Sequence, residues 1–557
     1  MWSFNIVPKL LIVTSIFKGA FIAAGASVSA TFNNNIQYKF DTDGNSIDST
    51  SGKIDFFDGA YIWYGLANGC GRVFCGILSW SSTDLQTWHP NGFLFDPNTP
   101  QIQDFCAPPL SGNCGRPHIV YSKSTKTYVL WLDEGSPGFA LFTSSRPTSG
   151  YTLSANRALV GYQPPGPFKA GDFSVAVING TGYIAYSLLD FSTVGASIWP
   201  PFVQSIYVQQ LTPSLLNTTG NVTHVVSAAS DLVDLSAESP DIFRRGDYFY
   251  ITASNTCGFC TGTLLVVYRS KTIIGPWIRQ IISADTCGGQ TTGVLTLPGP
   301  SGRGDASYLH QADLFSTAPL TGIRTAAHAH QFQLLTFSDL DGSVNDLNCT
   351  LSHSATASVI KGTLPKSGKP SHEPTVSSPD PLETPYTPSC LLPTYQLYQT
   401  FISPKTGKLS TVSVNIAGIA NSTGTLQLTI FRYDNTTAFY TPFYKWDTLA
   451  TASIPGSSIS QAFEAISVPV NSNIKANDKL GIAVVWEGVA PLCVMVTGAT
   501  GTGGDGRCPI EKGPGGSGRD GSLFAIGAAQ VSFRGKVGKT PPIVVLDGEI
   551  KWAAVIN

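Results

Sequence analysis

The feature that most constrains the fold of this chain is a recurring short strand led by tyrosine. It occurs as Asp58-Gly59-Ala60-Tyr61-Ile62-Trp63-Tyr64, Lys126-Thr127-Tyr128-Val129-Leu130-Trp131, Gly180-Thr181-Gly182-Tyr183-Ile184-Ala185-Tyr186, Gly246-Asp247-Tyr248-Phe249-Tyr250-Ile251 and Asp305-Ala306-Ser307-Tyr308-Leu309. The lead tyrosines are 67, 55, 65 and 60 residues apart. Several copies are followed by a second run ending in serine, as in Leu264 to Ser270. A period near sixty residues fits one four-stranded sheet with long loops, and five copies predict a five-bladed β-propeller. Long amphipathic helical periods are absent, while 56 Gly and 37 Pro punctuate short β-branched and aromatic runs. That pattern belongs to an all-β chain.

Residues 361–388 break the pattern with a Ser/Pro-rich stretch that cannot bury a core, and are expected to be a linker. Cys349 and Cys390 bracket this stretch and are expected to staple its ends. From residue 389 to Asn557 the strands alternate, as in Leu409-Ser410-Thr411-Val412-Ser413-Val414-Asn415-Ile416. Alternation of this kind predicts a β-sandwich with one packed and one wet face. Its role is open between a carbohydrate-binding module and a brace for the propeller, since fold alone does not give function. Gly498 to Gly521 is glycine-rich and expected to be a mobile loop.

Residues 1–30 carry a basic residue, apolar runs and a small-residue ending, the layout of a secretory signal peptide. The folded propeller is therefore expected to span residues 31–360, with no membrane association once the signal is removed. Six Asn-x-Ser/Thr sequons, at Asn179, Asn217, Asn221, Asn348, Asn421 and Asn435, suit a glycosylated extracellular surface. The eleven cysteines cluster locally: Cys70 with Cys75, Cys106 with Cys114, Cys257 and Cys260 with Cys287, Cys349 with Cys390, and Cys493 with Cys508. Such spacing predicts loop-stapling disulfides and an oxidising compartment. Zinc is the rival reading of Cys257-Gly258-Phe259-Cys260, but no second ligand pair follows. The formal net charge is −2 and charged residues make 13% of the chain, which disfavours nucleic acid as a partner. The aromatic fraction of 11% offers flat apolar faces to neutral sugars instead.

In a propeller, residues distant in sequence converge on one axial funnel. Carboxylates interrupting apolar blade-start strands are therefore the first candidates for chemistry, because a buried carboxylate needs a reason. Asp172 interrupts Ala170 to Val177, and Glu238 interrupts Ser236 to Phe243. The two segments hold the same place in successive blades, ahead of the third and fourth lead tyrosines. Glycosidic cleavage uses such a pair: one carboxylic acid protonates the leaving oxygen while a second group activates water.

The run Glu238-Ser239-Pro240-Asp241-Ile242-Phe243-Arg244-Arg245-Gly246-Asp247-Tyr248-Phe249-Tyr250 resembles the acid strand of glycoside hydrolase family 43. Gly275-Pro276-Trp277, Ser81-Ser82-Thr83-Asp84-Leu85 with Trp88, and Arg116-Pro117-His118-Ile119-Val120-Tyr121 resemble further blades of that family. The resemblance extends over about residues 36 to 350, and is nearest to an exo-β-1,3-galactanase-like branch. It implies Glu238 as general acid and Asp172 as the carboxylate that orients it and raises its pKa. It also implies that Gln290, in Gly289-Gln290-Thr291-Thr292, positions the attacking water. Most of the family carries a basic Asp in blade one, in a pattern commonly beginning I-D-A-H. Here the segment reads Ile47-Asp48-Ser49-Thr50-Ser51-Gly52, so Asp48 is a fallback base that turn chemistry would explain equally.

Other residues are read from chemistry alone. Arg116, Trp63, Trp131, Asp313 and His310 are candidate sugar-binding residues, with Trp277 a third candidate stacking face. His328 and His330 are two apart on a strand, hence on one face, and are read as a wet surface pair rather than a metal site. No phosphate loop or dinucleotide fingerprint occurs. The chain is thus expected to be a secreted, carbohydrate-active protein working without cofactor or metal, as a monomer. The expected activity is hydrolysis of galactose- or arabinose-containing glycans, a polysaccharide or oligosaccharide being the partner. The alternatives are a catalytically inactive carbohydrate-binding propeller and a structural surface protein.

Overall fold

The computed structural model describes residues 27–497 apart from short gaps, the larger at 107–113, 196–202, 298–305, 316–328, 365–375, 378–385 and 434–446. It also describes 523–527, 543–546 and 551–557. Five antiparallel sheets follow one another along the first part of the chain. Blade one runs Thr50–Phe57, Ala60–Leu66, Ile77–Ser82 and His89–Phe93. Blade two opens with Gly115–Ser122, blade three with Phe168–Ile178, blade four with Ala237–Arg245 and blade five with Gln290–Leu297. Blades one to four have four strands each and blade five has three described strands. The five opening strands pack against one another in a closed cycle around the axis. The tyrosine-led repeat is the second strand of every blade.

Period-2 alternation explains how those second strands hold the ring together. Ile62, Tyr64 and Leu66 pack between blades one and two, while Tyr61 and Trp63 face the other way, between blades five and one. Further cores lie between blades two and three, three and four, and four and five. Each blade is thus buried on both faces, and Ala60–Leu66 is buried throughout. Tight turns join first to second strands. Asn179-Gly180, both at positive φ (52° and 82°), makes one of them, as the twist of a two-residue hairpin demands.

Ser27–Asn33 pairs antiparallel with Ser354–Ile360, so residues 27–30, counted above with the leader, belong to a strand of the fold. Asn34 both donates to and accepts from the Phe332 backbone, fixing this segment on blade five.

The second domain is a sandwich whose described strands form two six-stranded sheets around an apolar core that includes Leu409, Val412, Val414, Ile416, Leu428, Ile482 and Trp486. A register shift between Leu409 and Thr411 explains why two polar residues separate Leu409 from Val412 while the rest alternates. Val376–Ser377 pairs with Ala553–Ala554, and Tyr386–Leu391 pairs with Leu492–Thr497. The sandwich therefore takes strands from within the expected linker. Cys349 is bonded to Cys287, so the expected Cys349–Cys390 staple does not form. Cys493 is disulfide-bonded and stands opposite Cys390 in the strand register. Cys508 and the Gly498–Gly521 segment lie outside the described residues. The pairs Cys70–Cys75, Cys106–Cys114 and Cys257–Cys260 are disulfides, which removes the zinc reading of the last.

Candidate active site

Every opening strand carries a β-bulge near its start. In blades one to four, two residues oppose one: Ser51-Gly52, Arg116-Pro117, Gly171-Asp172 and Ser239-Pro240. Blade five has a single extra residue, Thr292. A bulge re-aims side chains and ends the ladder, and it tolerates proline because the second bulge residue need not donate. Ser51, Arg116 and Ser239 sit at positive φ (52°, 49° and 54°), a conformation that L-residues adopt at a cost. Asp172 occupies the bulge position held by Pro117 and Pro240 in neighbouring blades, whereas Glu238 precedes its bulge. The two carboxylates are thus offset along their strands rather than equivalent, and the bulges bring them together.

The cluster runs across blades two to five. Arg116 Nε lies 3.7 Å from Asp172 Oδ1, and Ser239 donates its hydroxyl to Asp172 Oδ2 at 2.6 Å. Gln290 Nε2 donates to Glu238 Oε1 at 2.9 Å and to the Cys257 carbonyl at 3.1 Å. The Cys257 backbone N–H donates to the same Oε1 at 2.8 Å. Burial first, then the negative charge of Asp172, pushes the Glu238 pKa up from 4.5 to about 8, against the pull of these donors and of Arg116. Buried Arg116 Nε and Nη2 have no hydrogen-bond partner among the described residues, which suits a polar ligand. Ser239 and the Cys257 peptide were not anticipated; the Ser-Pro at a blade start was the only sequence trace of the bulge.

The remaining expected residues do other work. Asp48 Oδ2 accepts from the Asn68 and Gly69 backbones at 2.8 and 2.9 Å, and Asp48 lines a cavity of about 570 Å³ shared with Ser460 and Glu464 of the sandwich. It belongs to the domain junction, which argues against its use as a base. Thr50 accepts from the Asn68 side chain at 2.6 Å. Trp63, Trp131 and Trp277 are buried between blades, and Trp131 donates to the Leu215 carbonyl, so none offers a face to a sugar. Asp313 is buried, with Oδ2 accepting from the Ser51 N–H at 2.7 Å and Oδ1 facing His330 Nδ1 at 3.2 Å. It holds the blade-one bulge rather than touching the funnel. His330 is correspondingly buried, not wet; His328 lies outside the described residues. His310 is buried against Thr291 Oγ1 at 3.0 Å, and burial lowers its pKa to about 4.

The same strands carry a buried ionic network. Lys53 Nζ is 3.2 Å from Asp241 Oδ1 and 3.7 Å from Asp55 Oδ1. Asp241 Oδ2 accepts from the Val294 N–H, and Tyr64 donates to Asp55 Oδ2 while accepting from the Ile119 N–H. Blades one, two, four and five are tied together there.

The site sets a protonated Glu238 beside Asp172 on adjacent opening strands of a closed five-bladed ring, an arrangement suited to protonating a leaving oxygen. Residues 59–282, within the propeller, match the family model of glycosyl hydrolases family 43. The match ends before blade five and so does not include Gln290. No curated protein matches the chain. Among solved structures, an exo-β-1,3-galactanase from Clostridium thermocellum is 19% identical, with a TM-score of 0.45 and coverage of 68% of this chain and 73% of that one. An exo-β-1,3-galactanase from Phanerochaete chrysosporium is 14% identical, with a TM-score of 0.43 and coverage of 84% and 99%. A family 43 arabinoxylan arabinofuranohydrolase from Bacillus subtilis is 14% identical, with a TM-score of 0.42 and coverage of 80% and 96%.

Proposed function

We propose that this chain is a secreted, inverting glycoside hydrolase acting on β-1,3-linked galactose-containing glycans. Glu238 is the general acid, Asp172 keeps it protonated, Gln290 holds the water, and Arg116 binds a sugar oxygen. The observation that carries this reading is the buried cluster in which Gln290 and the Cys257 N–H hold Glu238 while Ser239 and Arg116 hold Asp172, an arrangement whose burial and Asp172 charge raise the Glu238 pKa to about 8. An acid that retains its proton at neutral pH is what leaving-group protonation requires. The substrate class rests on the resemblance of Gly289-Gln290-Thr291-Thr292 to the galactanase-like branch. Secretion is supported by four described disulfides and by the exposure of Asn179, Asn217, Asn221 and Asn348, each heading a sequon. Among the described residues no helix is long and apolar enough to cross a membrane.

The test is Glu238→Gln, assayed on β-1,3-galactobiose and on a 2,4-dinitrophenyl β-galactoside. Turnover of the natural linkage should fall by about two orders of magnitude or more. The aryl substrate, whose leaving group needs little protonation, should lose far less. Equal losses would remove the acid role, and sugar binding without turnover in the wild type would favour an inactive carbohydrate-binding propeller.

A further inference from the structure

We infer that the Cys257 peptide, pinned by the Cys257–Cys260 disulfide, is a positioning device that selects which oxygen of Glu238 gives up the proton. The inference rests on the acid role proposed for Glu238. Cys257 uses both halves of its backbone on the site. Its N–H donates to Glu238 Oε1 at 2.8 Å, and its carbonyl accepts from Gln290 Nε2 at 3.1 Å. The carbonyl is an acceptor only, so it fixes the amide of Gln290 with nitrogen inward. That nitrogen then reaches Glu238 Oε1 at 2.9 Å. Oε1 therefore faces two N–H donors and has no place for a proton of its own.

The carboxyl proton is left on Oε2, which no hydrogen bond reaches among the described residues. In the reaction the Oε2–H bond breaks as the glycosidic oxygen takes the proton and the electron pair of its bond to the sugar carbon. Water adds to that carbon and keeps one proton as the new hydroxyl, while the proton it sheds, passed through solvent, restores the Glu238 carboxyl. The amide orientation that secures Oε1 also turns Gln290 Oε1 away from Cys257, free to accept from that water. One peptide unit thus orients the acid and the water-holding amide together. Glu238 and Gln290 come from different blades, and Cys257 follows the second strand of blade four, Tyr248–Asn255. Its disulfide to Cys260 is the covalent tie on that segment, and both cysteines are partly exposed.

The variant C257S/C260S keeps the N–H and C=O of residue 257 and removes only the tie. Its kcat on β-1,3-galactobiose should fall about tenfold or more, the scale of a modest misplacement of a catalytic group. KM should stay within about twofold, and turnover of the dinitrophenyl galactoside should fall less than kcat on β-1,3-galactobiose, because it needs the held water but little protonation of the leaving group. Because the Cys257 N–H lowers the Glu238 pKa, its loosening should also move the basic limb of the pH–rate profile upward. A folded variant with unchanged kcat and an unchanged basic limb overturns the inference. Should the variant fail to fold, the wild type is titrated with dithiothreitol, which gives two electrons to the disulfide and becomes its own cyclic disulfide. Reduced Cys257 and Cys260 are then counted by alkylation and mass spectrometry. Full reduction at this pair with kcat and basic limb intact overturns the inference equally. Glu238→Gln separates the two levels: if it spares the natural linkage, the acid role itself fails, and an inactive wild type removes both.

Discussion

Glu238 is held between opposing pulls, and the balance has a consequence for stability as well as chemistry. Burial and Asp172 favour its neutral form, while the Cys257 N–H, Arg116 and Gln290 favour the ion. In the folded chain it titrates near 8, and unfolded it returns to about 4.5. Between those values the folded state holds a proton that the unfolded state has released, so stability falls as pH rises. The contribution of this site is full below about pH 4.5 and is lost as pH passes through about 8. Thermal denaturation of wild type and Glu238→Gln from pH 5 to 9 should show a shallower decline in the variant. Asp41 and Asp55, raised to about 7 and 6 mainly by burial, share the sign, so the decline should be reduced rather than abolished. A variant with the wild-type slope would mean that Glu238 ionises freely in the fold.

The opening strands serve two purposes that the sequence reveals unequally. Tyr-led second strands were legible because apolar runs at a steady spacing are a composition signal, and Glu238 and Asp172 stand out because they interrupt the apolar opening strands. The bulges were not, since two residues opposing one is a matter of pairing, and no residue type is common to Ser51-Gly52, Arg116-Pro117, Gly171-Asp172 and Ser239-Pro240. The tryptophans were misassigned because alternation sends Trp63, Trp131 and Trp277 into inter-blade cores, which aromatic content alone does not reveal. The Lys53–Asp241 pair was missed because each partner lies in a different blade, 188 residues apart. Removing one partner of a buried pair leaves the other charge uncompensated. Lys53→Met should therefore cost about 3–5 kcal/mol in urea denaturation, and adding Asp241→Asn should recover part of the loss. A loss below about 1 kcal/mol, the range of exposed pairs, would deny the axial network a role in closing the ring.

At the scale of the whole molecule, the sandwich sits against the propeller through contacts that are more than incidental. Phe463 is buried with Tyr38, Phe40, Leu314, Ala329, Ala417 and Met495, a core drawn from both domains. Around it, the Ser46 N–H donates to the Phe463 carbonyl at 2.8 Å, the Gln461 N–H to the Gly69 carbonyl at 2.8 Å, and the Ala465 N–H to the Asn45 side chain at 2.8 Å. Asn45 is itself held, its N–H donating to Asp41, which also accepts from Trp80 in blade one. Two of these bonds end on the segment leading into blade one and the third on Gly69 just after its second strand, where Asp48 of that segment clamps Asn68 and Gly69. Such a junction favours the bracing role for the sandwich, because it fixes the strand that opens the ring. If that is so, the two domains should unfold together, in a single calorimetric transition whose midpoint does not depend on the scan probe. Phe463→Ala removes the centre of the junction and should cost about 3–5 kcal/mol, the range for truncating a buried aromatic. Because both domains keep their own cores, the loss should separate unfolding into two transitions rather than abolish folding. Two resolved transitions already present in the wild type, unmoved by the substitution, would show that the sandwich is carried by the propeller without bracing it.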